Sequence, residues 1–465
     1  MNLLGVKTMA EESKIRFTRH KEANLFLILA LCFGITMACI NPPFQECDGW
    51  IHYLWAWDVS YGNLARPVAS LNHEDGVILV PKNVDQFEYR ILEADKGEGR
   101  KYIDYLKSIK PYSQQAKMKL SNVPSSLFYY PQAFGLFLGR LFDLSVYTGV
   151  LLSRLCNLLL FLALTYSAVR ITPIFKNIMA VIGLLPMTLY QAASDSPDAM
   201  LNGLCFLFIA MCFSYAYGER ERLGWKDVIK LSLILSMVFL CKYVYVCLGL
   251  LVFLIPMKKF GGRKEYWKSF VIALLPLAVF GGIALFSAAS TVSGSQASMG
   301  AEGMTQFQYL SQHPKFIIQM LITTFLNKFN DWMTWLNTLG NLNYQLGVLI
   351  YLMPMYMIFV GCLDRVQACE KIRTKDRWLC FITFMATCLG VVMGIYIGDG
   401  SINKVGELVA QGIQGRYFIA AIPVFFAAIS QKGIQNRVKY FTEKTLGIMG
   451  IMLLYAIYSL YGHCM

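Results

Sequence analysis

Runs of about 20 mostly apolar residues, the length a helix needs to cross a bilayer, recur along the whole chain. "NLFLILALCFGITMACI" (24–40) is the first of them. In hydrocarbon every backbone N–H and C=O must find a partner within the protein, so only helices and closed barrels span. Barrels show short alternating segments, and these runs are long and unbroken. The pattern predicts an all-α polytopic membrane protein. Eleven spans are expected, near 24–41, 145–168, 175–190, 199–217, 227–241, 243–257, 269–288, 346–363, 378–397, 416–430 and 445–462. Composition agrees: 15% of residues are charged and 56% hydrophobic, where soluble domains carry about 25% charge.

The formal net charge is +13, which in a soluble protein would suggest nucleic acid. Here the cations gather in short loops between apolar runs, such as "KIRFTRHK" (14–21), "KKFGGRKEYWK" (258–268) and "QKGIQNRVK" (431–439). That is the positive-inside pattern. It implies no nucleic acid, a lipid bilayer as partner, anionic inner-leaflet lipid beside the loops, and a multi-pass protein of the plasma membrane. Residues 1–23 read as a cytoplasmic segment and 24–465 as one transmembrane domain. The first apolar run reads as a retained anchor, because no small-residue cleavage site follows it. Two large extracytoplasmic loops are expected, 42–144 and 289–345; in the first, "SLFYYPQAFGLFLGRLF" (126–142) reads as a helix lying in the interface. The thirteen cysteines lie mostly inside apolar runs, with no C-x-x-C spacing. They are read as buried free thiols.

Four segments on the outer side carry chemistry. "NPPFQECDGWIHYLWAW" (41–57) spaces Asp48 and His52 by four residues, one helical face, with Trp50 beside them. Glu46 reads as facing water. "SDSPD" (194–198) offers Asp195 and Asp198. Helix capping accounts for Asp198 and competes evenly with function for Asp195. Lys242 lies at the turn of the apolar run 227–257, a hairpin that crosses twice or equally a re-entrant pair, where an ionisable residue is costly; snorkelling to the headgroups is the bland alternative. Arg154 lies inside a span and requires a phosphate or carboxylate partner, or else reaches upward to the interface. "QGIQGRY" (411–417) puts Gln414, Arg416 and Tyr417 at the mouth of another span. Arg416 either anchors that helix end or clamps a phosphate with its planar fork. Acids beside cations suit a general base and the stabilisation of an anionic leaving group.

"NPPFQECDGWIHYLWAWDVSYGNL", "SLFYYPQAFGLFLGRL", "LPMTLYQAASDSPDAM", "CKYVYVCLGLLVFLIP", "SQHPKF" and "QGRYFIAAIP" resemble, in order, the signatures of a bacterial membrane family of unknown function within the GT-C glycosyltransferase superfamily. The resemblance implies a GT-C-like bundle and an extracytoplasmic site. It implies a polyprenyl-phosphate sugar as donor and a cell-surface glycan or envelope polymer as acceptor. Its catalytic acid falls on Asp48, with a second acid at Asp195 or Asp198. Gly49 stands where the family has Glu, so this loop lacks a paired carboxylate and a divalent metal is left open. On this reading Asp48 is the base, oriented by His52, with Asp195 as the further catalytic acid. Arg416, Lys242 and Arg154 hold the donor phosphate, while Trp50, Tyr129, Tyr130, Asp198, Gln414 and Tyr417 contact sugar or acceptor. The alternatives are a flippase for a lipid-linked glycan and a non-catalytic envelope scaffold.

Overall fold

The computed structural model describes residues 20–62, 77–82, 84, 98–110, 115–119, 126–271, 278, 305–336, 338–364, 372–398, 400, 402–430 and 436–465. Helix α1 (Lys21–Ile40) leads through a Pro-Pro turn into α2 (Gly49–Ser60). Strand β1 (Val77–Pro81) pairs antiparallel with β2 (Gln115–Lys119), Val77 opposite Lys119, and α3 (Glu98–Ser108) falls between them in the chain. A 3-10 turn, Ser126–Tyr129, opens α4 (Tyr130–Leu141), and α5 (Val146–Ile171) follows. Then come α6 (Lys176–Gly183), α7 (Pro186–Ala192), α8 (Asp198–Tyr217), α9 (Trp225–Cys241) and a 3-10 helix, Tyr243–Leu254. The remainder comprises α10 (Gln306–Gln312), α11 (Pro314–Trp335), the ribbon β3 (Thr338–Leu339) with β4 (Tyr344–Gln345), α12 (Leu349–Leu363) and α13 (Thr374–Gly398). A 3-10 turn, Gly415–Ala421, runs into α14 (Ile422–Ala428), and α15 (Phe441–Cys464) ends the chain.

Five of the described helices, α1, α5, α8, α13 and α15, are long and apolar enough to cross a membrane. Helix α8 is apolar all round and 89% of its apolar window is buried, as expected for a central helix. The outer helices expose apolar stripes instead: Ile28, Leu31 and Ile35 on α1, Ile451, Leu454 and Tyr458 on α15. In water such faces would be an aggregation liability; against acyl chains they cost nothing.

The eleven-span layout is not what the described residues show. The expected span 175–190 breaks between α6 and α7, where Pro186 starts a new helix because it cannot donate into the preceding turn. The span 416–430 is a 3-10 turn followed by the short α14. The hairpin 227–257 is interrupted at Lys242, whose backbone is extended (φ −149°, ψ 111°). The expected loop 289–345 contains α10, capped by Thr305 and Gln308, and the 22-residue α11. The polar residues Lys315, Asn327, Lys328 and Asp331 lower the hydropathy of α11, yet Ile318, Ile322, Phe325 and Phe329 form an exposed stripe along it. The loop 42–144 also holds a strand ribbon, so the fold is all-α with two small β-ribbons. The span 269–288 falls largely outside the described residues.

One packing contact sets up the site. Helix α4 carries Gly135-x-x-x-Gly139 and crosses α5 at backbone distance. A Cβ on Gly135 would lie 2.4 Å from the Leu152 carbonyl carbon, and one on Gly139 would lie 2.8 Å from Gly149 Cα. Small residues permit this approach. It brings Tyr129 and Gln132 over the end of α5, where Ser153, Arg154 and Asn157 face inward.

Candidate functional site

Arg154 gathers the first loop. Its Nη1 donates to Asn41 O at 2.6 Å and to Ala38 O at 3.3 Å, its Nη2 to Pro42 O at 3.1 Å. These carbonyls belong to or follow the last turn of α1, which leaves them without helical partners. The remaining partner is Glu46, whose Oε2 accepts from Nη2 at 3.2 Å. Both side chains are buried, 1% and 2% exposed. Glu46 Oε1 accepts the backbone N–H of Asp195 at 3.1 Å. Ser153 Oγ donates to Asp195 Oδ1, and Asn157 Nδ2 donates to the carbonyls of Ser194 (2.8 Å) and Ser196 (2.9 Å). Thus loop 41–48 and loop 194–198 are tied to α5 and to each other. Burial and the adjacent Glu46 carboxylate raise Asp195 above the ordinary carboxylate range.

This network turns Asp48 and Asp198 towards one cavity. Asp48 is the N-cap residue of α2, in the left-handed region (φ 60°). The next residue must be small, since a Cβ on Gly49 would meet the Glu46 side chain at 2.9 Å and the Phe44 carbonyl carbon at 3.0 Å. Asp198 begins α8; its Oδ1 accepts from Lys242 Nζ at 2.8 Å and its Oδ2 from Gln191 Nε2 at 3.0 Å. Arg416 enters from the 3-10 turn, fixed by Gly415, where a Cβ would lie 2.1 Å from the Trp332 carbonyl oxygen. Its Nη2 is 3.5 Å from Asp48 Oδ2 and its Nε is 3.7 Å from Asp198 Oδ2. Lys242 Nζ also sits 4.4 Å above the Tyr417 ring, a cation–π arrangement.

The cavity holds about 570 Å³ of empty space, and Asp48, His52, Tyr129, Asp198, Lys242 and Arg416 supply its polar lining. Trp55, Phe128 and Tyr417 add aromatic walls. His52 Nδ1 is hydrogen-bonded to the Tyr129 hydroxyl at 2.9 Å. Burial, reinforced by the Arg416 cation, pulls the His52 imidazole down to about 3, so it is neutral at physiological pH. Burial pushes the nearby Cys47 thiol up to about 11, which removes it as a thiolate nucleophile. Two features are unsatisfied. Arg416 is only 4% exposed, its Nε has no hydrogen-bond partner, and its ion-pair contacts are long. Asp48 is 60% exposed with Arg416 at 3.5 Å. Two carboxylates face two cations, so an incoming monoanion would meet a neutral, donor-rich surface.

Several sequence expectations change here. Arg154 does not reach the cavity; Glu46 and backbone carbonyls occupy it, so it is not a phosphate ligand. Glu46 does not face water. Asp195 lies behind the cavity, fully buried, and its carboxylate takes the Ser153 hydroxyl. Capping explains neither acid: the N–H of Asp198 goes to Ser196 Oγ at 3.3 Å, and Asp198 itself binds cations. Trp50 is buried between Phe44 and Tyr53 (ring centroids 5.2 and 5.6 Å), away from any sugar. Tyr130 is exposed in a neighbouring groove with Arg140 and Phe137, and Gln414 does not line the cavity. Lys242 does not snorkel away; it binds Asp198. Phe128 and Gln191 were not singled out in the sequence, because one helix-facing aromatic or amide among many carries no distinguishing spacing. The donor set does not suit a metal. Asp198 is taken by Lys242 and Gln191 and Asp48 faces Arg416. Among the described residues no group of three or more His, Cys, Asp and Glu side chains is placed to hold a metal ion.

The chain belongs to the family described as "Predicted membrane protein (DUF2142)", whose family model matches residues 31–425. No curated protein and no solved structure matches it.

Proposed function

We propose that this member of the family is a membrane glycosyltransferase, moving a sugar from a polyprenyl-phosphate donor to the hydroxyl of an extracytoplasmic glycan or envelope polymer. One observation carries the reading: the buried, under-coordinated Arg416 and the cation of Lys242 share a cavity with the open carboxylate of Asp48. In the proposed step Asp48 accepts the proton of the acceptor hydroxyl. That oxygen forms the new bond to the sugar's anomeric carbon. The bond from that carbon to the donor phosphate oxygen breaks, and its electron pair leaves with the polyprenyl phosphate. Arg416 and Lys242 stabilise that growing charge, a task preorganised donors in a dry site perform well. Asp198 is a positioning residue that holds both cations. Neutral His52, held by Tyr129, donates or accepts a hydrogen bond at the acceptor without changing charge. Trp55, partly exposed, presents a face against which a sugar ring stacks, and the buried Tyr129 packs behind it.

The interrupted helix at Lys242 is the feature that a flippase would also use. Proteoliposomes loaded with synthetic polyprenyl-phosphate sugar separate the two. Formation of a new glycosidic bond supports transfer, whereas movement of intact donor across the bilayer with no bond formed supports transport.

A further inference from the structure

At the opposite end of the bundle lies a second polar pocket, unrelated to the cavity just described. It opens between the C-terminus of α8 (Ala216–Gly218), the end of the 3-10 helix 243–254 with the following Lys258 and Lys259, and the N-terminus of α13 with Arg373 and Lys375. Helix α8 has 20 residues, so at 1.5 Å per residue the two pockets are roughly 30 Å apart, one hydrocarbon thickness. The pocket encloses about 1430 Å³, some of it open to the surroundings.

Its chemistry is one-sided. Four cations line it and no carboxylate does; Asp376, next to Lys375 in the chain, is held by Arg373 Nε at 3.1 Å. Lys259 is buried and its Nζ donates to the Gly218 carbonyl at 3.0 Å, which satisfies the C-terminal end of α8 and fixes the lysine in the wall. The N-terminus of α13 adds the positive end of a helix dipole. Lys258 and Lys375 remain exposed. The other wall is apolar, with Phe253, Leu254 and Met257. Two residues of the wall, Ile255 and Tyr266, are shared with an adjoining crevice lined mainly by Leu231, Val252 and Phe270, with one carboxylate, Asp227, paired to Arg220 at 2.6 Å. The exposed indoles of Trp225, Trp267 and Trp378 ring the same end, which is where tryptophan sits at a membrane–water boundary.

A cationic bowl at headgroup level, continuous with an apolar slot, fits a molecule with an anionic head and acyl tails. We propose that this pocket binds the headgroup phosphate of an anionic phospholipid, with an acyl chain in the adjoining crevice. Inorganic phosphate shares the headgroup chemistry but cannot use the crevice. The proposal is independent of sugar transfer and survives if that reading fails.

The test is native mass spectrometry of the full chain in detergent, supplied with phosphatidylglycerol or with phosphatidylcholine. The expected result is retention of phosphatidylglycerol over phosphatidylcholine. Retention should be about thirtyfold weaker in the double variant Lys258→Gln with Lys375→Gln, at roughly fivefold per surface lysine. The control pair Lys226→Gln with Lys230→Gln, exposed on the same end but outside the pocket, should retain the lipid as wild type does. Equal loss in both pairs would reduce the effect to general surface charge and overturn the site. Displacement of the lipid by inorganic phosphate at matched concentration would also overturn it, by assigning the pocket to a soluble anion.

Discussion

Among the described residues two clusters built on a buried arginine and carboxylates, around Arg154 and around Arg416, lie near the same end of the bundle, and they differ in how closely the guanidinium is held. Around Arg154 both terminal nitrogens are held: three backbone carbonyls and Glu46 take them and Glu46 takes the Asp195 N–H, while Arg154 Nε and Asp195 Oδ2 stay buried without a partner. Around Arg416 the carboxylate oxygens stand farther off, at 3.5 and 3.7 Å against 3.2 Å for Glu46 on Arg154, and Asp48 is open. Buried charge is costly in either setting. The first cluster offsets that cost internally and acts as scaffold. The second offsets it only partly, which is what a site prepared for an anionic ligand looks like. The same residue type, arginine among carboxylates at a helix end, therefore does structural work in one place and, in the function proposed above, is offered to substrate in the other.

That contrast is best broken by exchanging roles. The largest effect is expected for Asp48→Asn. Loss of a general base should lower transfer by about 10²–10⁴-fold, while thermal stability stays within about 0.5 kcal/mol because the side chain is largely exposed. An unfolding temperature far below wild type would place Asp48 in the scaffold instead. Glu46→Gln should behave in the opposite way. It leaves Arg154 buried without its counter-charge, and stability measured by thermal unfolding in detergent should fall by about 3–5 kcal/mol. Unchanged stability would show the Arg154 cluster to be dispensable. Next in size, Arg416→Lys keeps the charge but loses the planar fork. It should raise the KM for donor by about tenfold with little loss of stability, read from initial rates across donor concentrations.

A further prediction concerns pH. The His52 imidazole is depressed in the fold, to about 3, against about 6.5 when unfolded. The unfolded chain therefore binds the extra proton first as pH falls. The stability that neutral His52 contributes is complete above about pH 6.5 and is lost progressively towards pH 3, by up to about 1.4 kcal/mol per pH unit. His52→Asn should flatten that decline between pH 6.5 and 4. A wild-type decline unchanged by the substitution would mean that other groups drive it.

Much of this was legible before any coordinates. Long apolar runs place most helices, and cations in short loops mark one end of the bundle. Asp48, Asp198, Lys242, Arg416 and Tyr417 come from four separate segments, and polar residues at the ends of apolar runs are conspicuous in one dimension. What was hidden is pairing. Nothing local distinguishes an arginine that meets Glu46 from one that meets a ligand, because the partner lies 108 residues away. The reverse reading was open, since a guanidinium inside a span needs an anion and Glu46 stands at the end of the preceding span. The broken helices escaped for a different reason: hydropathy sums over Pro186 and Pro423 without registering that each restarts a helix. In α11, polar residues on one face mask an apolar stripe on the other.

The central claim is that the Arg416–Lys242–Asp48 cavity transfers a sugar. It is tested most directly by incubating purified wild-type protein and the Asp48→Asn variant with synthetic polyprenyl-phosphate sugar and envelope glycan, with the product bond followed by mass spectrometry. The account predicts a glycosylated product and free polyprenyl phosphate from wild type, and at least a hundredfold less of both from the folded variant. Equal product from the two proteins, or intact donor moved across the bilayer with no bond formed, would contradict it.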